Sequence, residues 1–229
     1  WRDIYHLVIL PFYKEPYEVV GECLASIVTN SYPKEKLIVV LGVEERAGKE
    51  AVNLAERLKD EHEKNFGGFL VAVHSRDLAG EIPGKGSNEA WAARRAKEEI
   101  VDKLGIPYER VIVSSFDIDT VLPPQYFAIL TYHYLTAAKP LRSSFQPIPV
   151  YNNNIWSAPA FSRVVAVSGT FWQTMQQARP ERLATFSSHS MPFKALVEMD
   201  YWQTNIVSED SRIFWKSLLF YDGDYRVIP

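Results

Sequence analysis

Over the first half of the chain, short runs of consecutive apolar residues alternate with longer segments in which apolar residues recur every three or four positions. Uninterrupted apolar runs are typical of strands buried on both faces, and the wider spacing is typical of helices that pack on one face. Because strand and helix alternate, the pattern predicts a mainly parallel sheet flanked by helices, with right-handed crossovers. The predicted strands cover residues 5–10, 37–41, 69–73 and 110–114.

Three helices are predicted between these strands. Pro16 fits the first turn of a helix that reaches Asn30, and residues 47–64 predict a charged helix with one apolar face. Ser87 is a suitable N-cap for the third helix, which is predicted to run to about Leu104.

The second half is less regular and is richer in aromatic residues and proline. In chain order, the predicted elements are a buried helix over 126–135, a long loop or edge strand over 139–160, a strand over 163–167, a helix after Gly169, a helix over 208–220 and a strand over 224–228. We expect most of the clustered aromatic side chains to lie in the core: Trp156, Phe161, Phe171, Trp172, Trp202, Phe214 and Trp215.

The 229 residues fit one large α/β domain, and no linker or internal repeat divides them. Apolar residues make up 47% of the chain and charged residues 23%, so a substantial core is expected and disorder is not. The formal net charge of −3 argues against a nucleic-acid partner, because binding many phosphates needs an excess of cations. The single cysteine, Cys23, excludes an internal disulfide. No apolar run approaches the ~20 residues of a membrane helix, so we expect a soluble domain.

Two aspartates, Asp117 and Asp119, follow the fourth predicted strand with one residue between them. In extended backbone, residues two apart point to the same side, so both carboxylates can face one ion. Hard oxygen ligands of this kind suit Mg²⁺ or Mn²⁺, with phosphate oxygens completing the shell. The alternative is a pair of solvated loop aspartates. The same spacing recurs at Asp222 and Asp224, where a turn explains it better.

Other polar residues follow the first two predicted strands. Tyr13 and Glu15 come after strand one, and Glu44 comes after strand two. Ligands of open parallel sheets gather beyond the carboxyl ends of the strands, so we expect these side chains to border one crevice with Asp117. Lys85 lies in a glycine-flanked segment at a helix start, which favours anions. The alternative for that segment is a flexible loop with a helix cap.

Glu209 and Asp210 form a further acidic pair in the first turn of a predicted helix. They are either ordinary complements of the helix dipole or, for Asp210, a general base that takes a proton from a hydroxyl. His189, in a serine-rich predicted loop, is a candidate extra ligand for a metal or a phosphate. The chain has no G-x-S-x-G, and no G-x-G-x-x-G after strand one, which argues against an α/β-hydrolase and a classical dinucleotide enzyme.

Taken in order, these pieces resemble the family 2 glycosyltransferases, which have the GT-A fold. Pro11–Glu15 is similar to the family's P-x-Y-N-E, Phe116–Asp119 to its D-x-D, and Ser208–Asp210 to its T-E-D. Gly84–Ala90 resembles a helix start in which a lysine precedes an asparagine, and Val167–Thr170 resembles a small-residue turn near the acceptor. The match covers nearly the whole chain.

The resemblance implies transfer of a sugar from a UDP- or GDP-sugar to an acceptor hydroxyl, with inversion at the anomeric carbon. Asp117 and Asp119 would hold Mg²⁺ or Mn²⁺, and Asp210, beside Glu209, would be the catalytic base. The nucleotide-sugar pocket would be lined by Pro11, Tyr13, Glu15, Glu44, Lys85 and Asp117.

The resemblance also implies how the chain is organised. Residues 1–229 would form a single glycosyltransferase domain, with a nucleotide-sugar-binding half over 1–120 and an aromatic-rich, acceptor-binding half over 121–229. The acceptor would be a glycan or a lipid-linked hydroxyl, and a large exposed aromatic patch would indicate a lipid-linked acceptor or a membrane-facing surface. Many relatives have membrane helices after this domain, so the parent protein is expected at the cytoplasmic face of a membrane, with possible helices outside this sequence.

Two other functions stay open at this point. A sugar-nucleotide nucleotidyltransferase would use similar metal carboxylates, but it normally has a glycine-rich loop with a basic residue after strand one, which Pro11–Glu15 lacks. A non-catalytic nucleotide-binding relative is favoured by residues 41–44, where Leu-Gly-Val-Glu replaces the aspartate pair that the family often has for the base of the nucleotide.

Overall fold

The computed structural model describes residues 1–153 and 155–229, and one sheet of seven strands runs through these residues. The strands lie in the order β3-β2-β1-β4-β6-β5-β7. They are β1 (Tyr5–Phe12), β2 (Leu37–Glu44), β3 (Gly68–His74), β4 (Val111–Ser115), β5 (Ser143–Phe145), β6 (His189–Pro192) and β7 (Arg226–Ile228).

Helices cover the sheet and connect its strands. They are α1 (Tyr17–Val28), α2 (Lys49–His62), α3 (Lys85–Ala96), α4 (Tyr126–Thr136), α5 (Ala160–Gln177), α6 (Phe193–Glu198) and α7 (Glu209–Phe220). A π-helical turn, Lys97–Val101, continues α3 toward the end that the sequence predicts. α3 begins two residues before Ser87, whose hydroxyl donates to the Ile82 and Gly84 carbonyl oxygens inside the first turn. The prediction of Ser87 as N-cap was therefore wrong; Gly84 is the N-cap.

The four strands predicted in the first half pair with one another in parallel. β1 pairs in parallel with β2 on one side and β4 on the other, and β2 pairs in parallel with β3. Every residue of β2 is buried, as its continuous apolar run predicts for a strand covered on both faces. Alternate residues of β1 enter different cores: Leu7 and Ile9 pack with α3, whereas Val8 and Leu10 pack with α1 and α2.

The back half adds its strands to the same sheet. β6 pairs antiparallel with β4 and with β5, and β5 pairs in parallel with β7. The predicted class, an α/β fold with a mainly parallel sheet flanked by helices, is confirmed. The functional division near residue 120 stays a prediction.

The segment over 163–177 is one helix, so the predicted strand over 163–167 and the helix starting only after Gly169 were wrong. β-Branched residues in that segment resemble a strand, but the apolar positions Phe161, Val164, Val165, Phe171 and Trp172 follow helical spacing. Gly169, read as part of a small-residue turn over Val167–Thr170, lies within α5.

Most of the clustered aromatic side chains are on the surface, which corrects the prediction that they lie in the core. Trp156 is 83% exposed and Phe161 is 89% exposed, and the exposed set also includes Phe171, Trp172 and Trp215. Trp202 is buried, as predicted. No residue of α5 is buried. Within the described part of the chain, no helix has the length and apolar character needed to cross a bilayer.

Candidate active site

A crevice of about 690 Å³ opens where the carboxyl ends of β1, β2 and β4 meet the start of α3. The residues predicted to bind the donor and the metal line it together: Pro11, Tyr13, Glu15, Glu44, Lys85, Asp117 and Asp119. The parallel strands end at one edge of the sheet, so residues that follow different strands come together there. The roles of these residues remain predictions.

The turn after β1 is organised by Glu15. Its Oε2 atom accepts hydrogen bonds from the backbone N–H groups of Tyr13 at 2.8 Å and Lys14 at 3.0 Å. Two cations lie near the Tyr13 ring, with Lys14 Nζ 5.1 Å and Arg46 Cζ 5.0 Å from its centroid. This part of the crevice therefore presents an aromatic face beside positive charge.

Glu44 is the last residue of β2 and is buried. Arg46 donates to both of its carboxylate oxygens, with Nη2 3.0 Å from Oε1. The guanidinium thereby becomes part of the crevice wall, although sequence reasoning did not single out Arg46. The sequence did contain a signal for Arg46: it is a cation two residues after Glu44, an acid at a predicted strand end, so the two side chains could be expected to pair.

The start of α3 is locked to β2 by a close contact. Asn88 Nδ2 donates to the Gly42 carbonyl at 2.6 Å, and a Cβ atom at Gly42 would lie only 2.8 Å from Asn88 Oδ1. Glycine at position 42 allows this approach, which gives a structural reason for its place in the segment over 41–44. The contact fixes the first turn of α3, and with it Lys85, over the sheet edge.

Lys85 joins carboxylates that are far apart in the sequence. Its ammonium lies 2.8 Å from Asp117 Oδ1 and 2.9 Å from Asp210 Oδ2, and 3.6 Å from Glu89 Oε1. Burial alone would lower the pKa of Lys85, but the three carboxylates outweigh it and raise that pKa, so the ammonium stays charged. The predicted metal ligand and the predicted base thus converge on one nitrogen.

Asp117 and Asp119 differ in their surroundings. Burial acts to raise the pKa of Asp117, yet Lys85 and the Ser187 hydroxyl, which donates to Oδ2, hold it below its usual range. The pKa of Asp119 is raised, first by burial and then by the Asp117 charge. Two hard oxygen donors that repel each other are a donor set that suits Mg²⁺ or Mn²⁺, since a cation between them would offset the repulsion.

A second group of acids lies behind Lys85. Carboxylate oxygens of Glu89, Glu209 and Asp210 lie within 4.8 Å of one another. The Lys85 ammonium already contacts two of these groups, so we assign it as their counter-ion and place no metal there. Glu89 is fully buried, and its burial raises its pKa to about 8.

Glu209 and Asp210 occupy the first turn of α7, as predicted. Glu209 is buried against α3, and a Cβ atom at Gly86 would lie 2.8 Å from Glu209 Cβ. The Oδ1 atom of Asp210 accepts no hydrogen bond within the described residues, and His189 Nδ1 lies 3.6 Å from it.

His189 lies on β6 and not in a loop, which corrects the prediction for this segment. It is buried, and Nδ1 lies 3.1 Å from the Phe186 carbonyl oxygen. Burial lowers its pKa, although Asp210 acts to raise it. His189 is a neighbour of Asp210 and is not among the residues that line the crevice.

Comparison of the sequence with models of protein families gives no match, and comparison with curated proteins gives none either. The structure does match solved structures. The mannosyltransferase PcManGT from Pyrobaculum calidifontis, in complex with GDP-Man and Mn²⁺, aligns with a TM-score of 0.64 and 18% identity, over 97% of this chain and 53% of that one. The fold is GT-A-like.

A second GT-A-like neighbour is S. aureus TarS 1–349 in complex with UDP-GlcNAc. It aligns with a TM-score of 0.59 and 13% identity, over 98% of this chain and 56% of that one. The chain therefore spans a little over half the length of the solved structures that it resembles. At these identities the likeness concerns the fold.

Several residues of this GT-A-like site were missed by sequence reasoning. Ser187 and Ser188 both contact Asp117: the first through its carboxylate, the second at 3.4 Å from the Asp117 backbone nitrogen. They are the small residues beside the site, whereas Val167–Thr170, predicted to form such a turn, lies in α5. Glu89 was missed because a lone acid in a helical pattern is ordinarily a surface residue.

Proposed function

We propose that this protein is a metal-dependent, inverting glycosyltransferase that moves a hexosyl group from a UDP- or GDP-sugar to an acceptor hydroxyl. The observation that carries the proposal is the Lys85 ammonium, which contacts Asp117 at 2.8 Å and Asp210 at 2.9 Å. This contact brings the carboxylates proposed for donor binding and for base catalysis to one place at the strand ends of a GT-A-like fold.

The crevice offers groups that suit a nucleoside diphosphate sugar. Lys85 supplies a cation for the diphosphate, and Tyr13 supplies an aromatic face. Asp117 and Asp119 would hold Mg²⁺ or Mn²⁺, whose charge would offset the charge on the departing diphosphate. The GDP-Man and UDP-GlcNAc in the two neighbouring structures support this class of donor.

Asp210 is the proposed general base, with Glu209 holding the first turn of α7 against α3. The acceptor oxygen attacks the anomeric carbon while its proton passes to Asp210, and the bond from that carbon to the diphosphate oxygen breaks. The bonding electron pair leaves with the nucleoside diphosphate. A single displacement of this kind inverts the anomeric centre. The Oδ1 atom of Asp210 accepts no hydrogen bond within the described residues, so the carboxylate keeps acceptor capacity beyond its contact with Lys85, which supports the assignment.

The acceptor is proposed to be a glycan or lipid-linked hydroxyl, presented at the cytoplasmic face of a membrane. The exposed apolar side chains of α5 support this, because contiguous apolar surface of that kind marks an interaction site. From Asn152 to Arg179 the chain has no acidic residue, so this surface suits an anionic bilayer.

The test is a screen of UDP- and GDP-sugars with Mn²⁺ or Mg²⁺, measuring donor binding, donor hydrolysis and sugar transfer. Asp119→Asn is expected to lose metal-dependent donor binding. Asp210→Asn is expected to bind donor like the wild type and to lose ~10²-fold or more in turnover, the scale of a lost general base.

The matched control is Asp222→Asn, which changes the other aspartate pair with the same spacing and should leave both quantities unchanged. Donor binding without any hydrolysis or transfer would indicate the non-catalytic relative. A wild-type protein that binds no nucleotide sugar with either metal would refute the proposal.

A further inference from the structure

Glu89 lies beside the proposed site but has no part in the chemistry described above. Its side chain is fully buried in α3, one turn after Lys85. Burying a carboxyl group in a protein interior costs free energy unless the group is paired or hydrogen-bonded. The buried position of Glu89 therefore needs a physical explanation.

The contacts of Glu89 point toward Lys85. Its Oε1 atom accepts a hydrogen bond from the Ser115 hydroxyl and lies 3.6 Å from Lys85 Nζ. Its Oε2 atom is buried and has no hydrogen-bond partner within the described residues. Ser115 is the last residue of β4, so the carboxyl group is anchored to the rigid centre of the sheet.

The three carboxylates around Lys85 are not equivalent. The side chains of Asp117 and Asp210 are 44% and 19% exposed, and in the proposed reaction each has a second partner, the donor or the acceptor. Glu89 is fully buried and is not among the residues that line the crevice. It is the one counter-ion of the three that stays with Lys85 when Asp117 and Asp210 take up their other partners.

We infer that Glu89 is a positioning residue that holds the Lys85 ammonium between Asp117 and Asp210 and prevents it from pairing fully with the base. This inference rests on the proposed function. Without the Glu89 charge, Lys85 would share its three donors between the two remaining carboxylates, and Asp210 would be held more tightly and would accept a proton less readily.

Glu89→Gln, assayed at pH 9, where a carboxyl group with a pKa of about 8 is charged in the wild type, tests this inference. Glutamine keeps the size of the side chain and an oxygen for Ser115, while the charge is removed. We expect a fall in kcat of about tenfold with a donor Kd within about twofold of the wild type, the split typical of a group that acts after substrate has bound. In a Lys85→Met background, the same substitution should cause no further loss.

The control for general destabilisation is Thr131→Val, which breaks a buried polar contact at 2.8 Å to His6, away from the crevice. It should lower stability without changing kcat per folded molecule. An unchanged kcat in Glu89→Gln, with the wild type active, would overturn the inference and leave the proposed function standing.

A readout independent of turnover is the ¹⁵Nζ–H signal of the Lys85 ammonium in NMR spectra recorded at a single pH and assigned with Lys85→Arg. The three carboxylates should protect this signal from solvent exchange in the wild type and in Thr131→Val. In Glu89→Gln its chemical shift is expected to move, because Lys85 loses one of its three charged partners while Asp117 and Asp210 remain. A signal that persists unchanged in Glu89→Gln would refute the positioning role. If the wild type transfers no sugar, this spectrum still decides whether Glu89 holds Lys85.

Discussion

Lys85 is the residue through which the two ends of the candidate site meet. Sequence reasoning assigned Lys85 and Asp117 to the nucleotide-sugar pocket and Asp210 to the role of base, but it did not anticipate that the lysine itself bridges the two aspartates. Residues 125 positions apart leave no periodic signal of their contact, so the bridge became visible only in three dimensions.

His6 allows a test of a buried titratable group away from the site. It is fully buried in β1 with Nε2 2.8 Å from Thr131 Oγ1, and burial lowers its pKa to about 3. The unfolded chain has a histidine pKa of about 6.5. Because only the unfolded state takes up the proton between these values, the stability that His6 contributes is present above pH 6.5 and is lost as pH falls toward 3.

We therefore expect the free energy of unfolding to drop by about 2 kcal/mol between pH 7 and pH 5 on account of His6. In urea denaturation at the two pH values, the drop in the free energy of unfolding should be smaller in His6→Gln than in the wild type, by this amount. His133→Gln, at a half-buried histidine on the surface of α4, is the control and should behave like the wild type. An equal drop in wild type and His6→Gln would contradict the assignment.

At the scale of elements, the sequence analysis did not predict α5 and β6 correctly, for different reasons. The helical spacing of α5 was present in the sequence, but its run of valines was read as a strand. β6 consists of His-Ser-Met-Pro, which has neither apolar alternation nor strong strand formers. It is a strand because β4 offers it an unpaired edge, with Ser114 opposite Ser190.

The packing of α3 against α7 gives a prediction at this scale. A Cβ atom at Gly86 would lie 2.8 Å from Glu209 Cβ and 3.2 Å from the Gln203 carbonyl oxygen. Gly86→Ala is therefore expected to destabilise the protein by about 1–3 kcal/mol, the usual cost of forcing extra atoms into a packed interior.

Gly21→Ala in α1 is the control, because a Cβ atom there makes only an ordinary contact, at 3.8 Å from the Tyr17 ring. Thermal unfolding of the two variants checks the prediction. Equal melting temperatures would show that α7 can move away from α3 without cost.

At the scale of the whole molecule, the apolar surface of α5 predicts binding to a lipid bilayer. Co-sedimentation with vesicles of phosphatidylcholine and phosphatidylglycerol is expected for the purified protein, more strongly than with phosphatidylcholine alone, because apolar burial and Arg163 would act together. The double variant Phe161→Glu, Trp172→Glu should reduce the bound fraction by about tenfold or more.

Leu104→Glu is the control for this experiment. Leu104 is also an exposed apolar residue, 59% accessible, but it follows α3 and lies outside α5. Binding that is lost equally in both variants, or that is absent in the wild type, would argue against a membrane-facing role for α5.

Local pattern was sufficient for the parallel strands and for most of the helices, because burying an apolar run or stripe depends on residues that are close in the chain. The same holds for the crevice at the strand ends, since parallel strands must end at a common edge. Tertiary packing decided the rest: which carboxylates surround Lys85, that β4 recruits β6, and that α5 lies uncovered. These features depend on contacts between distant segments, and no local periodicity encodes such contacts.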